Sequence, residues 1–393
     1  MVDTKHMVVA VPWVLCGVIA ATCPSQAVET VADAAFQGLV RETGTLSQGR
    51  FELVATTVGA KAMFAGGARM GGFRSDRVDI YDSVTGLWST AALSQPRYHF
   101  AATTAGGKAI FAGGITESPD GRAVLSAVVD IYDDEAGFWT TATLSEARVT
   151  LAATAVGDKA LFAGGASSGY DNTVDIYDTE SGAWSTASLS QRRESLAATT
   201  VGNKAIFAGG YTTGNTRSTA VDIYDGDSDS WSTATLSVGR SHLAATTVGS
   251  KALFAGGYIA TGDSDVVDIY DADTGQWSTA TLSQPRHYLA ATTLGSLAIF
   301  GGGEQSNVPV PVRYSDVVDV YDALTDTWSV TTLSEARCHL AATTVGGKAI
   351  FAGGISTRLP AGSNVVDVFE VPEPATQALL ALGGLALIRR RRR

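Results

Sequence analysis

The amino-acid sequence predicts an all-β fold, a seven-bladed β-propeller with four antiparallel strands in each blade. Three observations lead to this prediction. The phrase Phe-Ala-Gly-Gly, or a one-residue variant, recurs seven times with a mean period of about 48 residues. A second phrase, Val-Asp-Ile-Tyr-Asp or a close variant, follows it in every copy. Each copy divides into four short pieces with the alternation and β-branched residues of strands.

The four pieces of a copy are clearest in the sixth, where strands are predicted over residues 287–293, 297–300, 317–321 and 328–332. The first piece carries the small-residue run Ala-Ala-Thr-Thr. Small side chains suit an innermost position, where strands from all blades converge and bulky groups would collide. Six copies end in a tryptophan-containing strand, and Asp82 and its equivalents are predicted to cap the turn before it.

The order Gly-Gly, Tyr-Asp and Thr-Gly-x-Trp within each copy resembles the kelch family of β-propellers. The resemblance covers roughly residues 41–370 and recurs at fixed offsets. A WD-type propeller has a shorter period and its own Trp-Asp signature, which this sequence lacks. The resemblance implies a seven-bladed kelch-type propeller.

The last copy lacks its fourth strand, because the residues that should form it fall in the C-terminal tail. Residues 41–47 align instead with residues 88–94, which form the fourth strand of the first copy and the start of the link after it. An N-terminal strand is therefore predicted to complete the last blade, which leaves no open edge to the ring. The predicted propeller domain spans residues 28–370.

One arginine precedes each copy at a fixed distance from its Gly-Gly phrase, while all variation in length falls between the second and third strands. The variable loops are candidates for a ligand surface, and neutral drift is the alternative. The arginines are predicted to lie on the same face, either as a positive ring at the channel mouth or as structural partners of carboxylates and carbonyls. They are Arg50, Arg97, Arg148, Arg193, Arg240, Arg286 and Arg337.

The residue two positions after each arginine breaks the symmetry and is predicted to line the channel mouth. The seven residues are Glu52, His99, Thr150, Ser195, His242, Tyr288 and His339. His287 is predicted to point to the opposite strand face. Histidines and a tyrosine that converge on an axis can bind a metal, but blade geometry sets their spacing and no carboxylate is expected beside them, so neither a metal site nor a cofactor is predicted. A second hint of a cation site, Asp225, Asp227 and Asp229, keeps the ordinary turn length and is interpreted as a turn.

Composition excludes other classes of function. The chain has 28 basic and 39 acidic residues, a net charge of −11, which argues against binding to nucleic acid. Three cysteines cannot form a disulfide framework. The sequence contains no Gly-rich phosphate loop, nucleophile elbow or metalloprotease signature.

Both ends are predicted to be processing segments. Residues 1–27 start with a basic region, continue with an apolar run and reach Ser25-Gln26-Ala27, the pattern of a secretory signal peptide. The tail, residues 371–393, contains Pro372, Glu373 and Pro374, then an apolar stretch ending at Ile388, then five arginines. The stretch is short for a permanent membrane anchor, and the arginines would hold that end in the cytoplasm.

The order of motif, apolar segment and basic cluster resembles the PEP-CTERM sorting tail of Gram-negative bacterial envelope proteins. The resemblance implies transient contact of a short transmembrane segment with the membrane, and cleavage by an exosortase-type membrane peptidase. It also implies delivery to the cell envelope, outer surface or extracellular matrix.

The sequence as a whole predicts an exported, monomeric, non-enzymatic module that binds an unknown protein or polysaccharide. The alternative is a secreted enzyme, a metal-dependent oxidase or a carbohydrate-active protein, with a site at the channel mouth formed by His99, His242, Tyr288 and His339. Some kelch-like oxidases need a tyrosine–cysteine crosslink, and Cys338 is the only cysteine outside the signal segment.

Overall fold

The computed structural model describes residues 39–306, 313–357 and 362–372. Seven four-stranded antiparallel sheets, one for each sequence copy, confirm the predicted seven-bladed propeller. Residues 41–370 form one compact unit. Blades are numbered 1 to 7 in chain order, and the strands of each blade first to fourth.

The strands alternate in direction, so each blade is a meander of adjacent hairpins. In blades 1 to 4 they are Val54–Val58, Lys61–Ala65, Arg77–Asp82 and Trp88–Ala92; Ala101–Ala105, Lys108–Ala112, Val128–Asp133 and Phe138–Thr143; Ala152–Val156, Lys159–Ala163, Thr173–Asp178 and Trp184–Ser188; Ala197–Val201, Lys204–Ala208, Ala220–Asp225 and Ser230–Thr235. In blades 5 to 7 they are Ala244–Val248, Lys251–Ala255, Val266–Asp271 and Gln276–Thr281; Ala290–Leu294, Leu297–Gly301, Val317–Asp322 and Thr327–Thr332; Ala341–Val345, Lys348–Ala352 and Val365–Glu370, completed by Val40–Thr45.

The seven first strands line the central channel, each in contact with the first strands of both neighbouring blades. Threonine hydroxyls link neighbouring strands, as in the pairs Thr56–Thr104 and Thr199–Thr247, at 2.8 and 2.9 Å. Because Ala155 occupies the position of the second threonine in blade 3, the equivalent link from Thr103 is missing. The Ala-Ala-Thr-Thr run is therefore a packing requirement of the innermost strand, as predicted.

The N-terminal strand Val40–Thr45 forms the outer edge of blade 7 and pairs with Val365–Glu370. Leu46, which follows it, is buried between blades 7 and 1. The amide of Leu46 donates to the carbonyl of Asn364 at 2.8 Å. Blade 7 is thus completed by the opposite end of the chain, which confirms the predicted closure.

Apolar side chains from adjacent blades pack against each other around the ring. Between blades 3 and 4, Phe207, Tyr224 and Trp231 of blade 4 contact a buried cluster of blade 3 that includes Leu189. The rings of Tyr224 and Trp231 lie 5.2 Å apart, and equivalent pairs occur in the other complete blades. The repeated tyrosines and the partly buried tryptophans therefore pack between blades.

The Gly-Gly phrase follows from close contact between backbones. Gly210 has a φ of +106°, and a Cβ at this position would lie 2.6 Å from the carbonyl oxygen of Glu194. The Gly210 amide donates to the carbonyl of Arg240, in the link to the next blade, at 2.7 Å. A larger residue would be both strained and obstructed, so this glycine helps to set the distance between blades.

The predicted cap of the turn between third and fourth strands is also confirmed. Asp82 accepts hydrogen bonds from the amides of Val84 and Thr85, both at 2.9 Å. Asp225 accepts from the amides of Asp227 and Ser228 in the same way. The carboxylate thus satisfies backbone donors that the sharp turn leaves unpaired.

One prediction about strand bounds is wrong. The first strand of blade 6 begins at Ala290, three residues after the predicted start at His287. Tyr288 has a φ of +53°, as do its equivalents within a few degrees. The left-handed conformation interrupts the strand alternation, so alternation cannot assign faces to the residues before Ala290.

Candidate binding site at the channel mouth

The seven repeated arginines do not form a positive ring open to solvent, because all seven are completely buried. Each guanidinium pairs with an aspartate from the third strand of its own blade; Arg286 and Asp319 lie 2.6 Å apart. The pairs are Arg50–Asp79, Arg97–Asp130, Arg148–Asp175, Arg193–Asp222, Arg240–Asp268, Arg286–Asp319 and Arg337–Asp367. The structural interpretation of the arginines fits the geometry, and the ligand-binding one does not.

Each pair also satisfies backbone groups. The Arg193 guanidinium donates to the carbonyl oxygens of Gly209 and Ala220, at 2.9 Å in the first case. The second oxygen of Asp222 accepts from the amide of Ser190, in the link from the preceding blade, at 2.8 Å. The arginine and aspartate therefore fasten each blade to the link that precedes it.

The symmetry-breaking residues two positions after the arginines do gather around the channel. Six of the seven amides donate to the carbonyl of the equivalent residue in the preceding blade, as from Tyr288 to His242 at 3.2 Å. Glu52, His99, Thr150, His242, Tyr288 and His339 line a cavity of about 220 Å³. We call this cavity the channel mouth.

The prediction that no carboxylate lies beside the histidines is wrong. Glu52 Oε2 lies 3.3 Å from His99 Nε2, and Glu52 Oε1 lies 3.7 Å from His339 Nδ1. Glu52 belongs to blade 1, next to His339 of blade 7 around the ring. Glu52 and His339 are far apart in the sequence and come into contact only because the ring closes.

His287 is not among the residues that line the cavity, but its ring lies close to two that are. Its ring centroid lies 6.3 Å from that of His242 and 4.6 Å from that of Tyr288. His287 Nδ1 lies 2.8 Å from Asp263 Oδ1. Tyr288 in turn stacks on His339 with ring centroids 3.7 Å apart. One side of the channel mouth is therefore a continuous cluster of aromatic and titratable groups.

Burial governs the electrostatics of this cluster. Removal from water lowers the pKa of His99 to about 4 and that of His242 and His339 to about 3, so the imidazoles are neutral at physiological pH. Burial raises the pKa of Glu52 to about 7 and raises the pKa of Tyr288 above its ordinary range. The channel mouth is thus polar but carries little charge, which suits hydrogen bonding or metal coordination.

Two residues near the channel mouth were not predicted from the sequence as a pair. Cys338 is completely buried, and its Sγ lies 3.8 Å from Glu304 Oε2. Burial and the Glu304 carboxylate raise the pKa of the Cys338 thiol well above its ordinary range. The signal was present in the repeat, since Glu304 directly follows a Gly-Gly phrase and Cys338 directly follows an arginine.

The variable loops between second and third strands form a second candidate surface. In blades 1, 2, 4, 5 and 6 they contain a short two-stranded hairpin. The hairpin strands are Ala68–Arg69 and Phe73–Arg74, Ile115–Glu117 and Ala123–Leu125, Tyr211–Thr212 and Thr216–Arg217, Tyr258–Ile259 and Gly262–Asp263, and Glu304–Gln305 and Arg313–Tyr314. A 3₁₀ turn, Thr213–Asn215, joins the strands in blade 4.

These hairpins lie on the face that carries the links between blades, as predicted. Phe51, which follows an arginine in such a link, pairs with Ala68 at the base of the first hairpin. Equivalent bridges occur in all seven blades. We call this side of the propeller the loop face. Phe73 and Met70 at the first hairpin are 67% and 59% exposed.

Several predicted features lie outside the described residues: the signal segment, Glu373 and Pro374 of the sorting motif, and the apolar stretch with its arginines. Among the residues that the structure describes, no helix is long and apolar enough to cross a membrane. Asp225, Asp227 and Asp229 have protein partners, namely Lys204, Asn203 and Tyr224. The interpretation of this series as a turn is consistent with those contacts.

Comparison with known families agrees with the repeat and with the tail. A family model described as the KLHDC2/KLHL20/DRC7 kelch-repeats domain matches residues 150–354, just over half of the chain. A model of the PEP-CTERM protein-sorting motif matches residues 370–393. No curated protein matches the chain.

Proposed function

Because the chain belongs to the kelch-repeat family and ends in a PEP-CTERM sorting motif, we propose that it is a non-enzymatic binding module displayed at the cell surface or in the extracellular matrix. The loop face binds a protein or polysaccharide partner there. The sorting motif indicates export to the cell envelope or surface, and an exosortase-type peptidase removes the tail.

The observation that carries this proposal is that the copies differ in length only in loops on one face of the propeller. The spacing from Gly-Gly to the third strand changes from 9 to 15 residues among the copies, while the other spacings are constant. The structure has the hairpins formed by these segments on one face of a rigid ring. Variable loops on a rigid scaffold are the usual place for recognition in repeat proteins.

The test compares apolar residues on the two faces. Protein and glycan arrays identify a partner of the full-length protein, and binding is then measured for the double variant Phe73→Ser, Met70→Ser. The matched control is Val84→Ser, Leu324→Ser, which changes side chains that are 82% and 83% exposed in turns at the opposite ends of the third strands. We expect the first pair to weaken binding roughly tenfold or more, as loss of an interface anchor does, and the control to leave it unchanged.

Equal effects of the two double variants would place recognition elsewhere on the ring.

The non-enzymatic part of the proposal has its own test at the channel mouth. Oxidase or glycosidase turnover by the purified protein that disappears in Glu52→Gln would contradict it, because Glu52 is the carboxyl group best placed there for proton transfer.

The sorting tail gives a separate prediction. Truncation after Pro372 is expected to leave the melting temperature of the propeller unchanged, because the last strand ends at Glu370. The truncated protein should fail to appear at the cell surface, as measured by surface labelling and fractionation. Normal surface delivery, or a lowered melting temperature, would mean that the tail has another role.

A further inference from the structure

Three groups that commonly bind metals meet where blades 6 and 7 approach the channel mouth. The donor atoms of Glu304, Cys338 and His339 all lie within 4.8 Å of one another. Glu304 comes from the loop of blade 6, and the other two residues come from the link into blade 7. Among the residues that the structure describes, this is the one cluster of at least three such groups with that spacing.

The distances suit a four-coordinate ion. Zn–S bonds of about 2.3 Å and Zn–O or Zn–N bonds of about 2.0–2.2 Å place neighbouring ligand atoms of a tetrahedron about 3.5 Å apart. Cys338 Sγ and Glu304 Oε2 are separated by 3.8 Å. Small side-chain adjustments therefore bring the donors to bonding distance.

Contacts with neighbouring residues hold the proposed ligands in place. The backbones of Glu304 and His287 exchange hydrogen bonds of 2.7 and 3.1 Å, which fixes the start of the loop. Glu52 Oε1 lies 3.7 Å from His339 Nδ1, where a carboxylate can orient the ring. His287, held by Asp263 through Nδ1, presents Nε2 at 3.9 Å from Glu304 Oε1.

The repeat shows that this combination is not needed for the fold. At the position of Cys338 the other blades have Phe51, Tyr98, Val149, Glu194, Ser241 and His287. At the position of Glu304 they have Ala68, Ile115, Ala166, Tyr211, Tyr258 and Ile355. The propeller accepts many side chains at both places, so packing alone does not account for a thiol opposite a carboxylate.

We propose that Glu304, Cys338 and His339 bind one divalent transition-metal ion, best Zn²⁺, with a fourth coordination position facing the channel mouth. Thiolate and imidazole ligands with one carboxylate select Zn²⁺ over Ca²⁺ or Mg²⁺, which prefer oxygen alone. An open position allows the ion to hold an oxygen or nitrogen ligand that enters the 220 Å³ cavity. This site goes beyond the proposed recognition by the loop face and does not depend on it.

The experiment uses the full-length protein, freed of metal with a chelator and titrated with Zn²⁺ alone by calorimetry. The variants Cys338→Ser and His339→Ser copy residues that blades 5 and 4 carry naturally, Ser241 and Ser195. The control His99→Thr removes a channel-mouth histidine outside the cluster and copies Thr150. Thermal unfolding of each metal-free variant checks that it is folded.

We expect one ion per chain, affinity reduced by roughly tenfold or more in Cys338→Ser and His339→Ser, and no change in His99→Thr. Substitution with Co²⁺ should give a thiolate-to-cobalt charge-transfer band that Cys338→Ser abolishes. Absence of stoichiometric Zn²⁺, or affinity retained in both ligand variants, would overturn the proposal. If Cys338→Ser does not fold, His339→Ser decides. Unchanged partner binding in the loop-face variants with Zn²⁺ binding intact would contradict the proposed function and leave this site standing. Absence of Zn²⁺ binding with loop-face recognition intact would do the reverse.

Discussion

Replacing Asp222 with alanine is expected to lower the free energy of unfolding by about 3–5 kcal/mol, because it leaves the completely buried guanidinium of Arg193 without its charge partner. The substitution also removes the acceptor for the amide of Ser190. Burial already lowers the pKa of Arg193, the sign of a charge held at a cost in free energy. Chemical denaturation followed by tryptophan fluorescence measures the loss.

The matched control is Asp120→Ala, which breaks the pair between Asp120 and Arg122 on the surface. The side chains of Asp120 and Arg122 are 59% and 83% exposed, and water replaces the lost contact. A change of less than about 0.5 kcal/mol is expected there. An equally small loss in Asp222→Ala would show that the seven buried pairs are not what fastens each blade to the preceding link.

Perfect repetition explains why the arginines were open to two interpretations. A residue that recurs seven times at a fixed spacing has the same sequence signature whether it holds blades together or surrounds a channel. The partner was also visible in the sequence, since the first aspartate of Val-Asp-Ile-Tyr-Asp recurs in all seven copies. An acidic residue inside a buried strand is rare unless it is paired. Asp79 and its equivalents were therefore the signal that would have favoured burial.

The fold was predictable because every blade repeats the same local evidence. Alternation, Gly-Gly turns, capping aspartates and the missing last strand agree with one another, and the structure confirms each of them. The channel mouth was only partly predictable. Glu52 contacts His339 because the ring closes. Glu304 lies beside Cys338 because the base of the blade 6 loop is next to the link into blade 7. Neither contact follows from the spacing within one copy.

The left-handed conformation at the channel mouth also made the direction of these side chains hard to predict from the sequence. Strand alternation assigns faces only while the backbone stays extended. Tyr288 and its six equivalents have φ between +53° and +55°, and none of them is a glycine. Gly, Asn, Asp and His are the residues enriched in this region, so only the three histidines among the seven gave any hint of it. Because of this turn, alternation cannot assign a face to His287.

Leu46→Ala is expected to destabilise the propeller as much as Leu189→Ala, by about 2–5 kcal/mol, because both leucines are 2% exposed at equivalent positions between two blades. The comparison tests closure of the ring, because Leu189→Ala gives the loss expected at an ordinary junction between blades. Leu189 lies deep in the chain, whereas Leu46 follows the N-terminal strand that completes blade 7. Urea denaturation of both variants measures the two losses under the same conditions.

Leu324→Ala serves as the control, since that side chain is 83% exposed and should change the free energy of unfolding by less than about 0.5 kcal/mol. A large loss of unfolding free energy in Leu189→Ala with no loss in Leu46→Ala would mean that blade 7 is stable without its outer strand. The unpaired edge of Val365–Glu370 would then be exposed, and such an edge templates aggregation between chains. Equal losses would instead show that the two ends of the chain are held together by the same interblade packing as the other six junctions.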